Sequence, residues 1–252
     1  MTEMIDAERT VGELAVVAPG AARVFERAGI DFCCGGNKPL REACREKGVA
    51  VDDILAALRS GEQHHDPAPD AHWQMEPLPA LIAHIVERHH QYIRTETPHL
   101  DIWIDKCIAA HGDRHPELMR IRHTFSAMSG EMAQHMAKEE LILFPAITRM
   151  TRDHASVNAT GRAGQPGAVA SLSQPVKMMM AEHDHSGRDL AEIRKLSGDF
   201  MAPPDACNTY RTLYEALNQF EHDMKQHVHL ENNILFPRAL AMEADSGHGQ
   251  PD

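Results

Sequence analysis

HMAKEELILFP, His135 to Pro145, and HVHLENNILFP, His227 to Pro237, put the same frame into one chain twice: a histidine, three residues, a glutamate, then Ile-Leu-Phe-Pro. Four residues of α-helix turn the chain by about 400°, so His135 lies over Glu139 and His227 over Glu231. Glu140, one step further round, is expected to point elsewhere. The apolar residues after each pair place both helices in a buried setting, and each proline is expected to bend or break its helix just beyond the pair. Both polar pairs therefore face inward.

The frame extends upstream. His90 precedes His135 by 45 positions and His183 precedes His227 by 44, so the chain reads as a duplicated helix pair. His89 competes with His90, and His185 with His183; the register of the repeat prefers His90 and His183. Imidazoles and carboxylates turned into a core are costly unless something satisfies them. A metal pair does so: one glutamate from each of two helices bridges two ions, and histidines from all four helices complete the shells. The ligand types suit iron, manganese or zinc. With 18 histidines in the chain, one His-x-x-x-Glu pair would be an ordinary surface contact. Two pairs in one context, each at nearly the same offset from a further histidine, are metal ligands.

Around this repeat the chain reads as all-α. Long amphipathic helices are expected at roughly 79–96, 116–150, 173–197 and 205–241, with a shorter one near 99–111. Met128, Met132 and Met136, four apart, form a core stripe. The stretch from Thr151 to Pro175, with NATGRAGQPG inside it, reads as a flexible connection between the halves. The bundle spans 79–242, with a polar tail over 243–252.

Residues 1–62 read as a separate small helical domain. Thr10 and Glu13 stand in capping-box spacing, and later helices stop at Gly29, Gly48 and Gly61. A polar, proline-rich linker covers 63–78. The formal charge of −12 argues against nucleic acid as a partner. No stretch suits a membrane span, and the acidic start MTEMIDAERT does not suit a signal peptide. Five cysteines without framework spacing agree with a reducing compartment, so the protein is expected in the cytoplasm with its thiols free.

Cys33 and Cys34 lie side by side in DFCCGGNKPL, Asp31 to Leu40. A disulfide between neighbours strains the backbone, so they read as two adjacent thiols, while Gly35 and Gly36 let another group come close. Such a pair is able to bind iron, take a nitrosyl group or exchange disulfides. A small buried cysteine pair in a helical hairpin remains the plainer alternative on these residues alone. Cys44, Cys107 and Cys207 read as structural, and His64, His65, His115 and His229 as solvated.

The bundle residues resemble those of hemerythrin-like domains. DFCCGGNKPL resembles the Cys-Cys-Gly-Gly signature of the Repair of Iron Centres family, the ScdA/YtfE type of di-iron protein. The likeness covers nearly the whole chain. It implies a hemerythrin-like four-helix bundle with an oxo- or hydroxo-bridged pair of non-haem irons. It further implies His90, His135, His183 and His227 as terminal ligands, Glu139 and Glu231 as bridges, and His111 as one more histidine near the irons. Cys33 and Cys34 become the reactive pair. The implied role is repair of iron–sulfur proteins damaged by nitric oxide or oxidants, by a homodimer; the leading reading of how is that the bundle gives up iron when reduced, because oxygen ligands hold ferrous iron less tightly than ferric. A second reading keeps the irons in place to bind nitric oxide or dioxygen, as a nitric oxide reductase or a sensor. A third, a binding module without chemistry, leaves the thiol pair without a use.

Overall fold

Thr10 opens the first helix as its spacing requires. Its hydroxyl accepts the Glu13 N–H at 3.2 Å, and the Glu13 carboxylate accepts the Thr10 N–H at 3.0 Å, a complete capping box. Helix α1 (Val11–Val17) is followed by α2 (Ala21–Arg27), α3 (Leu40–Lys47) and α4 (Val51–Gly61). Gly48 ends α3 in the left-handed region, φ +68°, where a side chain would be strained. The computed structural model of the chain describes residues 5–18, 20–33, 35–61, 71–160 and 171–247.

By its packing the chain divides into two compact units. One comprises Met1–Ile82, Ile147–Ser173 and Val228–Asp252; the other comprises Ala83–Ala146 and Gln174–His227. In the first unit α1 to α4 share a core of Leu14, Phe25, Leu40, Cys44 and Leu58, and Val228 belongs to the same cluster. That shared packing is why the end of the chain joins the N-terminal helices. In the same unit Arg238 donates to the carbonyl of Glu76 at 2.8 Å and to that of Trp73, which ties down the described end of the linker.

The remaining helices run in sequence as four rods, of which the stretches Ala83–Ala146 and Gln174–His227 make up the second unit. The first begins as α5 (Leu78–His84) and runs through a π-helical turn (Ile85–His90) into α6 (Gln91–His111). The second is α7 (Glu117–Lys138), a π turn (Glu139–Leu143) and α8 (Phe144–Thr160). The third is α9 (Ser173–Leu196). The fourth is α10 (Asn208–Leu230), a π turn (Glu231–Leu235) and α11 (Phe236–Gly247).

Within the unit, ion pairs link neighbouring rods into a closed ring. Arg122 on α7 meets Asp101 and Asp105 on α6, and Arg120 meets Glu192 on α9. Arg194 on α9 grips Glu221 on α10, and Asp223 on α10 meets His89 on the first rod. Inside lies an apolar core of Ile104, Phe125, Met128, Met132, Met136, Leu217 and Phe220. The methionine stripe is core, as its spacing predicts. Among the described residues no strand forms, and one isolated bridge joins Thr10 to Pro39.

Several boundaries differ from the sequence-based ones. Helix α6 continues across Pro98, with no break between 96 and 99. Neither Pro145 nor Pro237 ends its helix: each follows a π turn whose bonds reach five residues back, Phe144 N–H to Glu139 O and Phe236 N–H to Glu231 O. The wider turn takes up the missing proline N–H and relieves the ring's clash with the preceding turn. Helix α8 then runs to residue 160, so the first part of the expected connection is helical, and α11 carries the expected polar tail as far as residue 247.

Candidate metal centre

Three of the four rods carry a π turn, and each π turn carries a site residue at one end. His90 closes the turn Ile85–His90, while Glu139 and Glu231 open theirs. A π turn holds one residue more than the α turn it replaces and is often kept where a side chain must be aimed. His135 and His227 stand one turn before the glutamates on the same rods, and His183 stands on α9.

Among the described residues these side chains form two groups in which every ligand atom lies within 4.8 Å of the others. One is His90, Glu139, His227 and Glu231; the other is His135, Glu139, His183 and Glu231. Both carboxylates belong to both groups. Glu139 reaches each way, with Oε2 3.5 Å from His90 Nε2 and Oε1 3.3 Å from His135 Nε2. The imidazoles meet in pairs, His90 Nε2 to His227 Nε2 at 3.1 Å and His135 Nε2 to His183 Nε2 at 2.9 Å. Nitrogens held about 2.1 Å from one ion at about a right angle stand about 3.0 Å apart, so the donor set fits a pair of ions. Glu139, Glu231, His90, His183 and His227 are fully buried.

Two carboxylates outside the ligand set orient two of the imidazoles. His90 Nδ1 donates to Glu140 at 2.6 Å and His135 Nδ1 donates to Glu182 at 2.9 Å, which leaves both Nε2 lone pairs facing inward. Each carboxylate carries a cation from the same helix as its histidine: Arg94 at 2.6 Å on Glu140, and Lys138 on Glu182. Burial pushes the Glu140 carboxyl up, but hydrogen bonds from His90 and Arg94 outweigh it, so Glu140 lies below the ordinary carboxylate range. Glu182 is lowered in the same way by Lys138 and His135. Phe144 stacks over the His90 ring at 5.8 Å and shields it from water.

His111 is in neither group. It ends α6, twenty-one positions beyond His90, about 31 Å along the rod. There it lies against Tyr210 at 5.3 Å between ring centres, with Arg114 at its Nδ1. The two rival histidines also stand apart from the groups. His89 pairs with Asp223 at 3.1 Å, and His185 is half exposed beside Glu131 and Asp189 on the outside of α7 and α9.

Sequence reasoning set Glu140 aside and missed Glu182, Arg94 and Lys138. The only local trace was a cation three or four residues after a histidine, because the carboxylates come from another rod. His229 is not solvated, and His115 is partly exposed but held by two carboxylates. His115 sits between Glu117 and Asp205, at 2.9 and 3.0 Å. His229 is buried under Phe32, and that burial pushes its pKa down to about 4.

Of the expected thiol pair, Cys34 lies outside the described residues, as do His64 and His65. Cys33 is buried, with its backbone N–H and its thiol both directed at Asp31 Oδ1, at 3.0 and 3.2 Å. Its carbonyl accepts from Asn232 Nδ2 at 3.1 Å, and the carbonyl of Phe32 accepts from Asn233 Nδ2 at 2.9 Å. Cys44 and Cys107 are buried and Cys207 is exposed, all three as free thiols. No described helix is long and apolar enough to cross a membrane.

Residues 7–62 match a domain of unknown function named ScdA_N, and residues 81–239 match the hemerythrin HHE cation-binding domain. The chain is similar to iron-sulfur cluster repair protein YtfE of Pectobacterium carotovorum and to that of Pectobacterium atrosepticum. It is 36% identical to each, over 94% of this chain and 98% of the relative. YtfE of Yersinia pseudotuberculosis is also 36% identical, over 93% of this chain and 98% of its own length.

Proposed function

The chain belongs to the Repair of Iron Centres family, and from that premise we propose that it repairs iron–sulfur clusters damaged by nitric oxide or oxidants, giving up iron held as a di-iron centre in the bundle. The observation that carries this is the sharing of both buried carboxylates, Glu139 and Glu231, between two histidine pairs. A single-ion site needs no such sharing. The bound pair would supply exchangeable iron and one-electron chemistry.

The chain's own residues do the rest. His90 and His135 are held as neutral ligands by Glu140 and Glu182. Glu139 and Glu231, which belong to both groups, would supply the carboxylate oxygens to the metal. Ferrous iron is held less tightly than ferric by such oxygens, so Glu139 and Glu231 would be the ligands that allow iron to leave once an external donor has reduced it, and His90, His135, His183 and His227 would be the ones that retain it. Cys33 and Cys34 are the thiols that the family signature offers as soft ligands to departing iron. A homodimer in the cytoplasm, meeting its iron–sulfur clients there, completes the reading.

The test is metal content followed by transfer. Protein purified without added metal should hold two irons per chain, with near-ultraviolet absorption that bleaches on reduction. It should restore activity to a cluster-depleted acceptor, and Glu139→Leu should not. Equal transfer by the variant, or a chain holding one zinc, would overturn the assignment.

A further inference from the structure

Glu231, Asn232 and Asn233 are consecutive on one π turn, yet they face different tasks. Glu231 belongs to both ligand groups. Asn232 and Asn233 donate their side-chain amides to the carbonyls of Cys33 and Phe32. The fit around Asn233 is close. A Cβ on Gly12 would stand 2.4 Å from Asn233 Oδ1, and one on Gly36 would stand 2.7 Å from the Phe32 carbonyl and 3.2 Å from that oxygen. Gly12 N–H also donates to the Gly36 carbonyl at 2.8 Å. His229 accepts from the same Asn233 amide at 2.8 Å and lies edge-on to Phe32.

The metal site's near-symmetry does not call for these amides. In the first repeat the same positions are Glu140, which orients His90, and Leu141, which is exposed. The second repeat alone therefore carries a clamp on the loop that holds the thiol.

We propose that Asn232 and Asn233 are positioning residues that couple occupancy of the metal centre to burial of the Cys33 thiol: the metal-loaded chain holds Cys33 shut, and the metal-depleted chain presents it. The inference rests on Glu231 being a metal ligand. The two-state element is the π turn itself. While Glu231 is pinned, its extra residue stays where Asn232 and Asn233 face the loop. When Glu231 is released, moving that residue along the helix rotates both amides by about 100° away from their carbonyls. The thiol then becomes available at the moment iron leaves, and by linkage, opening the loop must weaken metal binding by the same factor.

The test is site-resolved alkylation of the full chain in a Cys34→Ser background, with and without iron, with metal content measured on the same samples. Cys33 is expected to react at least about tenfold faster after iron is removed, a typical coupling between sites. Asn232→Ala with Asn233→Ala should react fast in both states and lose iron to a chelator about tenfold faster. Cys44, buried in the core of the N-terminal helices, is the control for unfolding and should stay unreactive in both states. Equal Cys33 rates with and without two bound irons would overturn this inference alone. A chain that binds no metal, or binds it unaltered in Glu231→Leu, would overturn the metal assignment as well. Cys44 reacting in step with Cys33 would mean that the N-terminal helices unfold, which also overturns the clamp.

Discussion

Replacing Glu139 by leucine should reverse the order of stability between variant and wild type according to whether metal is present. Glu139 is fully buried and directs one oxygen toward each half-site, at 3.5 and 3.3 Å from imidazole nitrogens. Without metal it is a buried carboxyl group facing imidazoles whose Nε2 atoms are turned inward. Exchanging such a group for an apolar one of similar volume is commonly neutral to stabilising, here by about 2 kcal/mol. For a chain of this size that raises Tm by about 4–8 °C. With metal the sign changes. Ligand at about a thousand times its Kd stabilises the folded chain by about 4 kcal/mol, or about 8–16 °C. The variant, with three donors left in each group, should lose most of that. Thermal melts of both proteins, stripped with chelator and then reloaded with ferrous iron without oxygen, would place the variant higher when stripped and lower when loaded. A stripped variant that melts below stripped wild type, or one that keeps the full shift on loading, would refute the reasoning.

Glu182→Gln keeps the shape but weakens the acceptor for His135 Nδ1, so iron affinity measured by chelator competition should fall by about 10- to 100-fold while the fold persists. Gly12→Ala places a methyl 2.4 Å from Asn233 Oδ1, and overpacking of that kind should cost about 1–3 kcal/mol in a denaturant melt. His115 has its pKa raised first by its hydrogen bond to Glu117 and then, against a smaller opposing effect of burial, by Asp205. A pKa raised in the folded state gives stability that is fully present below the unfolded value of about 6.5 and is lost as pH rises through the folded one. Wild type should therefore lose stability relative to His115→Gln as pH rises above about 6.5, with Tm read on both sides of that value.

Much of the fold was legible because it is local. The capping box at Thr10, the left-handed glycine after α3 and the methionine stripe each depend on residues within one helix, and the repeat located His90, His135, Glu139, His183, His227 and Glu231 by spacing alone. What stayed hidden depends on partners far away in sequence. Glu140 was set aside because a helical wheel shows where a side chain leaves its own axis and not which neighbouring helix it meets; it meets His90, fifty positions earlier. Pro145 and Pro237 read as places where the helix bends or breaks, because proline usually does one or the other, yet the added residue of a π turn absorbs both. His229 read as solvated because it is one of many histidines, and its contact with Phe32, far away in sequence, shows only in the fold. His111 followed the family likeness, while the length of α6 carries it to the far end of the rod.

The three π turns also fix how this chain can be altered in length. Each inserts a surplus residue into a rod beside the site, so that everything beyond it is set back by one step of helical phase. Removing one residue from Glu231–Leu235 would close that turn into ordinary α-helix and let α11 continue without a bulge, which is a gain for the helix taken alone. The same deletion would swing Glu231 away from both histidine pairs or Asn233 away from the Cys33 loop, since a regular helix has no register that keeps both. Folding and chemistry in this bundle are therefore separable by a single-residue deletion that introduces no new side chain.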